Sequence, residues 1–222
     1  MFLLMTKANT MRGLKLPTIL IITTSLNAFA AIPIDGLYLN GFGGAAFIPS
    51  NINVTYNNAL INQSSYNGGF TAGGALGFKS AFWRYEAEVG YINAQFKNIA
   101  VDNIRYNLGN GYNQSVLALA NLIFDLPYKP TYMLQPYVGG GIGYAWVQNY
   151  FTTPAQLNFS ANNYSFAYQG IAGVSFHFSE NYSLNVDYRY VGTTHLDTTG
   201  NIFQANLVTA GITYRYDGCE YK

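Results

Sequence analysis

Trp83-Arg84-Tyr85-Glu86-Ala87-Glu88-Val89-Gly90-Tyr91 is the stretch on which the fold turns. In an extended chain, Trp83, Tyr85, Ala87, Val89 and Tyr91 point one way, and Arg84, Glu86, Glu88 and Gly90 point the other. No 3.6-residue period sorts these residues so cleanly. A strand with one charged face and one aromatic face needs a different surrounding on each side. Hydrocarbon outside and a polar filling inside meet that need.

The same period of two segments the chain from Gly36 onward. Strands are expected at 37–47, 70–79, 83–91, 115–126, 135–147, 168–178, 182–191 and 206–216. Each approaches the 9–11 residues or so that a tilted membrane strand needs. The connections alternate in length. Short ones fall at 80–81, 127–131 and 179–181, and long ones at 48–69, 97–114, 148–167 and 192–205. Short turns on one rim and long loops on the other are the asymmetry of a membrane barrel. The expected fold class is therefore all-β: an eight-stranded antiparallel transmembrane up-and-down β-barrel. Its turns would be periplasmic and its four long loops extracellular, with both termini on the periplasmic side.

Composition agrees. Of 222 residues, 50% are hydrophobic, 17% aromatic and only 9% charged, with 20 Tyr, 15 Phe and 23 Gly. Soluble domains carry about 25% charged residues. A net charge of +1 argues against nucleic acid as a partner. So many aromatic residues exclude a disordered chain. One cysteine excludes an intramolecular disulfide framework. Mean hydropathy is only +0.06, which excludes a bundle of membrane helices.

The first thirty residues read as an address. Arg12 and Lys15 precede an apolar run at 16–26, and Ala28-Phe29-Ala30 supplies a small-x-small cleavage pattern. Cleavage after Ala30 would leave residues 31–222 as one barrel domain with a short tail at 217–222. Met1 and Met11 are both candidate starts. The mature chain would hold 8 basic and 10 acidic groups.

With the polar faces turned inward, Lys79, Arg84, Arg189 and Arg215 enter the lumen with Glu86, Glu88, Asp125 and Asp187. Four charges of each sign balance. An eight-stranded barrel is only wide enough for side chains to fill it, and a stranded charge there costs several kcal/mol. The expected role of these eight is a structural charge network that plugs the lumen. Small inward residues (Gly73, Ala75, Gly77, Gly139, Gly141 and Gly143) are expected to make room for the long Arg and Glu side chains. Outward aromatic residues form two expected girdles. Phe78, Trp83, Phe124, Phe176, Phe178, Tyr214 and Tyr216 lie toward the short turns, and Tyr91, Tyr144, Trp146, Tyr168 and Tyr190 toward the loops.

Four stretches carry a family likeness: Arg84 to Tyr91, Ala118 to Asp125, Gln135 to Tyr144, and Asp187-Tyr188-Arg189-Tyr190. In this order they resemble the small outer-membrane barrel family that includes the opacity proteins and the OmpA-type transmembrane domain. The last strand is similar to the family's sorting signal, here Thr209, Gly211, Tyr214 and Tyr216. The resemblance implies partners: outer-membrane lipid and lipopolysaccharide, with the barrel-assembly machinery and periplasmic chaperones during biogenesis. Host surface or matrix components are a further partner class for the loops. Cys219 is a lone thiol in the tail, which is too short for a peptidoglycan-binding domain.

No catalytic, cofactor-binding or metal-ligating set emerges. Gly139 to Gly143 does not complete G-x-G-x-x-G, because Tyr144 stands at the third glycine position. The two histidines, His177 at the short-turn rim and His195 in the last long loop, have no Ser or Cys motif tied to them. The expectation is a non-enzymatic surface protein with a structural or adhesive role through its loops. The alternatives are an outer-membrane lipid-modifying enzyme and a narrow, low-conductance pore.

Overall fold

The computed structural model describes residues 34–49, 53–56, 59–101, 104–107, 111–127, 134–152, 158–196 and 201–216. All regular structure among them is strand. In chain order the strands are β1 (Gly36–Phe47), β2 (Asn53–Tyr56), β3 (Ala59–Tyr66), β4 (Gly69–Ser80), β5 (Trp83–Val101), β6 (Ile104–Asn107), β7 (Gly111–Asp125), β8 (Leu134–Thr152), β9 (Asn158–His177), β10 (Tyr182–Leu196) and β11 (Asn201–Arg215). The expected leader and tail lie outside the described residues.

Eight of these close into an antiparallel barrel in the order β1-β4-β5-β7-β8-β9-β10-β11, with β11 returning to β1. The ladder fixes the stagger. From Leu37, paired residues run through Phe78, Tyr85, Leu122, Gly140, Gly170, Tyr190 and Asn206. The walk then regains β1 at Phe47, ten residues above its start. With strands about 4.8 Å apart and rising about 3.3 Å per residue, that stagger tilts them about 40°. Closure leaves no edge within the barrel, as lipid demands.

Sidedness follows the sequence. On β5, Trp83, Tyr85 and Val89 are exposed outward, and Arg84, Glu86 and Glu88 are buried. On the short-turn side, Ala81 takes a left-handed conformation (φ 52°) where no glycine is available. Its carbonyl accepts from Lys79 Nζ and its amide donates to Asp35 Oδ2 at 2.9 Å, which hold the turn.

The long connections differ from expectation. Much of 48–69, 97–114, 148–167 and 192–205 is strand. β8 and β9 stay paired up to Thr152↔Asn158, and β10 and β11 up to Leu196↔Asn201. β2, β3, the upper part of β5 and β6 form a further antiparallel sheet above the barrel. The physical reason is solvent. Beyond the hydrocarbon the outward face turns polar, as at Gln148, Asn162 and Gln204, so the apolar alternation that marks a membrane strand fades. Backbone pairing continues regardless.

Candidate functional site

The lumen collects the charged residues, and the inward parity of each strand puts them there. All eight (Lys79, Arg84, Glu86, Glu88, Asp125, Asp187, Arg189 and Arg215) are buried. They lie in two tiers. Nearest the short turns, Lys79 Nζ and Arg84 Nη2 reach Asp125 at 3.0 and 2.8 Å, and Arg215 Nη1 donates to Ser183 Oγ at 3.2 Å. This tier holds three cations and one anion. In the next tier Arg189 pairs with Glu88 Oε2 at 2.9 Å and with Asp187, and Glu86 stands beside them. That tier holds one cation and three anions. The balance read from sequence is therefore a balance between tiers, and each neutralises the other.

Aromatic side chains join the tiers. Tyr38 donates to Glu86 Oε1 at 2.7 Å, and Tyr137 donates to Asp187 Oδ2 at 3.1 Å. The Arg84 guanidinium lies 4.4 Å over the Tyr137 ring, and Arg189 lies 4.0 Å over Phe42. Amides complete the set: Asn121 donates to Glu88 at 2.7 Å, and Gln169 donates to Glu88 at 3.2 Å and to Asn121 Oδ1 at 2.7 Å. Sequence reasoning left out Tyr38, Phe42, Tyr137, Asn121 and Gln169 as members of this network. For Asn121 and Gln169 the polar parity of their strands was the available signal.

Two of the expected inward glycines, Gly73 and Gly77, and with them Gly173, serve a different purpose from the expected one. A Cβ on Gly77 would sit 2.2 Å from the Tyr38 ring, one on Gly73 2.5 Å from Phe42, and one on Gly173 2.6 Å from Tyr137. Each ring lies across its own ladder partner: Tyr38↔Gly77, Phe42↔Gly73 and Tyr137↔Gly173. The space goes to aromatic rings, which carry the Arg and carboxylate groups in turn.

Above the charges the filling changes. Ala46, Ile48, Ile92, Ala94, Leu117, Leu119, Ala145, Val147, Ala167, Val191, Phe203, Ala205 and Leu207 form one buried apolar cluster. The expectation of an ionic filling throughout is therefore corrected: only the half next to the short turns is ionic. The inward positions of β7 explain the miss. Leu117 and Leu119 follow the polar face by parity but carry no polarity to reveal it. A polar layer lies over the apolar one, where Asn113 donates to Asn149 at 2.6 Å and the Ser165 and Thr194 hydroxyls meet at 2.8 Å.

The outer surface carries two aromatic bands. Near the short turns, rings meet in sequence: Phe176 with Phe178, Phe178 with Tyr182, Tyr182 with Tyr214, and Tyr214 with Tyr216. Trp83 packs on Phe124 at 4.8 Å. Toward the loops, Phe70 meets Tyr91, Tyr144 meets Phe166, and Tyr168 meets Tyr190. After allowance for stagger, roughly 21 Å separates the bands, close to the ~25 Å apolar belt of outer-membrane barrels.

The four residues expected to form a sorting signal divide between the two faces. Thr209 is buried and donates to Asp187 Oδ1 at 2.7 Å, which ties it to the charge network. Gly211 faces inward, and Tyr214 and Tyr216 are exposed in the lower aromatic band. His177 is buried against Gln135 Oε1 at 2.9 Å. His195 belongs to β10, paired with Ile202, and not to a loop as expected. No group of three potential metal ligands occurs among the described residues.

A family model described as outer membrane protein beta-barrel domain matches residues 16–216. A protein from Gluconacetobacter diazotrophicus called "Outer membrane protein" is 29% identical over an alignment of 211 residues that covers 83% of this chain and 54% of that relative. The chain thus spans about half the length of that curated relative. The crystal structure of Neisserial surface protein A superposes with a TM-score of 0.54 at 16% identity, covering 82% of this chain and 97% of that one. OprG from Pseudomonas aeruginosa gives 0.53 at 14% identity, covering 83% and 98%. These two structures share the fold with this chain. A matched region that takes in every strand of the closed barrel, and a lumen and belt built as described, make this chain a member of the outer membrane protein beta-barrel domain family.

Proposed function

We propose that this outer-membrane β-barrel is a non-enzymatic surface protein whose lumen is a structural plug and whose loop rim is the working face. The observation that carries this reading is the doubly filled lumen. Paired charges occupy one half and packed hydrocarbon the other, so neither half offers ions a wet path. What remains for interaction is the strand extension above the upper aromatic band, including β2, β3 and β6. In this reading the short turns and both termini are periplasmic and the extension faces outward. The eight lumen charges fix register and packing. Thr209, Gly211, Tyr214 and Tyr216 are read by the assembly machinery before the seam closes.

Two experiments test the proposal. Deleting residues 53–66 removes β2 and β3 and spares the barrel strands, so adhesion of expressing cells to host matrix should fall while the folded barrel persists. Unchanged adhesion would overturn the role of that extension. Removing 148–167 would be a poor test, because it cuts paired barrel strand from β8 and β9. In planar bilayers the intact protein should pass little current, and large steady conductance would overturn the plug.

A further inference from the structure

Among the described residues the dipeptide Asn-Gly occurs at Asn40-Gly41 and at Asn67-Gly68, and the two pairs stand in opposite settings. Asn40-Gly41 lies in the middle of β1, paired with Ala75 and Gly74 of β4 and with Thr213 and Ile212 of β11. Ladders on both sides hold its backbone extended. The Asn40 amide turns inward, where its oxygen accepts from Thr213 Oγ1 at 3.4 Å. Asn67-Gly68 lies between β3 and β4, and both residues are exposed. On one side the β1 ladder ends at Ala46↔Gly69. On the other, Tyr66 pairs with Phe96 and Phe70 with Asn93, so four steps along this segment (66 to 70) face three along β5 (96 to 93). The surplus residue makes a bulge, and a bulge leaves one residue out of the ladder. The Asn67 amide nitrogen donates to the Gln95 carbonyl at 2.9 Å, whereas the Gly68 amide has no hydrogen-bond partner among the described residues. A Cβ on Gly68 would meet nothing within 4 Å, so the space around it is open.

We propose that Asn67 is a site of self-modification by deamidation, with the Gly68 backbone nitrogen as the attacking group. That nitrogen forms a bond to Asn67 Cγ, and its proton departs with Nδ2 as ammonia. The product is a five-membered succinimide. One water then opens the ring at either carbonyl. Opening at the first restores the ordinary backbone and leaves an aspartate. Opening at the second leaves an isoaspartate, whose backbone runs through Cβ and Cγ and is longer by a single atom. The net change converts an amide and a water into a carboxylate and ammonium, with no oxidant or reductant. Three features select this position. Glycine after Asn places no side chain in the way of attack. The bulge releases the nitrogen from the ladder, and exposure supplies the water. Asn40 shares the first feature and lacks the second. Residues 48–69 hold no Asp, Glu, Lys or Arg, so the conversion puts the first charge into that connection, at the joint between β3 and the barrel. The chemistry is independent of what the loop rim binds.

The test ages the full barrel, folded in detergent micelles at mildly alkaline pH, in water enriched in heavy oxygen. Chymotrypsin in ordinary water then separates the two sites, because Phe42 and Phe47 lie between them. The peptide holding position 67 should gain one heavy oxygen and contain isoaspartate as well as aspartate, while the peptide holding Asn40 keeps its amide. An unconverted Asn67 would overturn the site. Equal conversion of Asn40 and Asn67 in the folded barrel would overturn selection by the fold. After unfolding in hot urea both should convert at similar rates; a faster Asn67 there as well would assign the preference to sequence and overturn the part played by the bulge. Aspartate without isoaspartate would mean direct hydrolysis and overturn the ring mechanism. Gly68→Ala meets no clash and should slow conversion about tenfold (about 1.4 kcal/mol of barrier), with the heat-resistant gel mobility of the barrel unchanged. An unchanged rate would overturn the role of the Gly68 nitrogen.

Discussion

Around Arg189 the lumen is packed with charge; a short distance up the same strands, around Leu117 and Ile92, it is packed with hydrocarbon. Both halves are filled by buried side chains, but by different physics. The ionic half is directional. Each group needs its partner at one distance, and losing one member leaves another charged and buried. The apolar half is indifferent to direction and sensitive to volume. One barrel therefore shows what each kind of filling costs to disturb.

The largest effect should come from the ionic half. Arg189→Ala strips Glu88 and Asp187 of their shared cation, at a cost of about 3–5 kcal/mol. Urea midpoints of the barrel in phospholipid vesicles measure this. A loss under 1 kcal/mol would mean that water or a proton replaces the guanidinium easily. Leu117→Ala in the apolar half leaves a cavity but no charge, so it should cost about 2–4 kcal/mol by the same titration, with conductance still low. If the two variants lost equal stability and both conducted, the distinction between the halves would fail.

A third change probes the hinge between ring and charge. Gly77→Ala forces the Tyr38 ring off its site and should cost about 1–3 kcal/mol. Adding Tyr38→Ala should recover part of that loss, a coupling of opposite sign to additivity. No recovery would show that the clash is with backbone. The smallest effect belongs to Thr209→Val, which removes one hydrogen bond from Asp187, worth about 1 kcal/mol, while Tyr137 and Arg189 still hold that carboxylate. Folding rates with purified assembly machinery separate its two roles. A slower rate at an unchanged urea midpoint assigns Thr209 to recognition, and a lower midpoint at an unchanged rate assigns it to the folded network.

The barrel strands and their sidedness were legible because lipid and lumen impose opposite demands on alternate residues. Trp83 to Tyr91 makes that demand visible within nine positions. Two things were not legible. Where the sequence is rich in Asn, Ser, Thr and Gln, as in β2, β3 and the upper ends of β8 and β9, no sustained apolar alternation distinguishes strand from loop. Where both faces are apolar, as at Val116 and Leu117, the contrast vanishes again. Of the lumen site, the eight ionisable residues could be found because charge is rare in this chain. The rings of Tyr38, Phe42 and Tyr137 could not, since a Tyr or Phe fits either face. Only their pairing with Gly77, Gly73 and Gly173 reveals the side.

The seam between β1 and β11 joins the earliest and latest strands of the barrel through partners from Tyr38↔Arg215 to Phe47↔Asn206. The two backbones press together there so closely that a Cβ on Gly44 would lie 2.0 Å from the carbonyl oxygen of Val208. A chain cut short by nonsense mutation or premature termination upstream of β11 has no counterpart for β1. It stays an open ribbon with two raw borders, fit for proteolysis and not for the bilayer. Cylinder closure thus acts as a proofreading step on translation, since only a polypeptide synthesised through its final strand can leave the queue of unfolded clients.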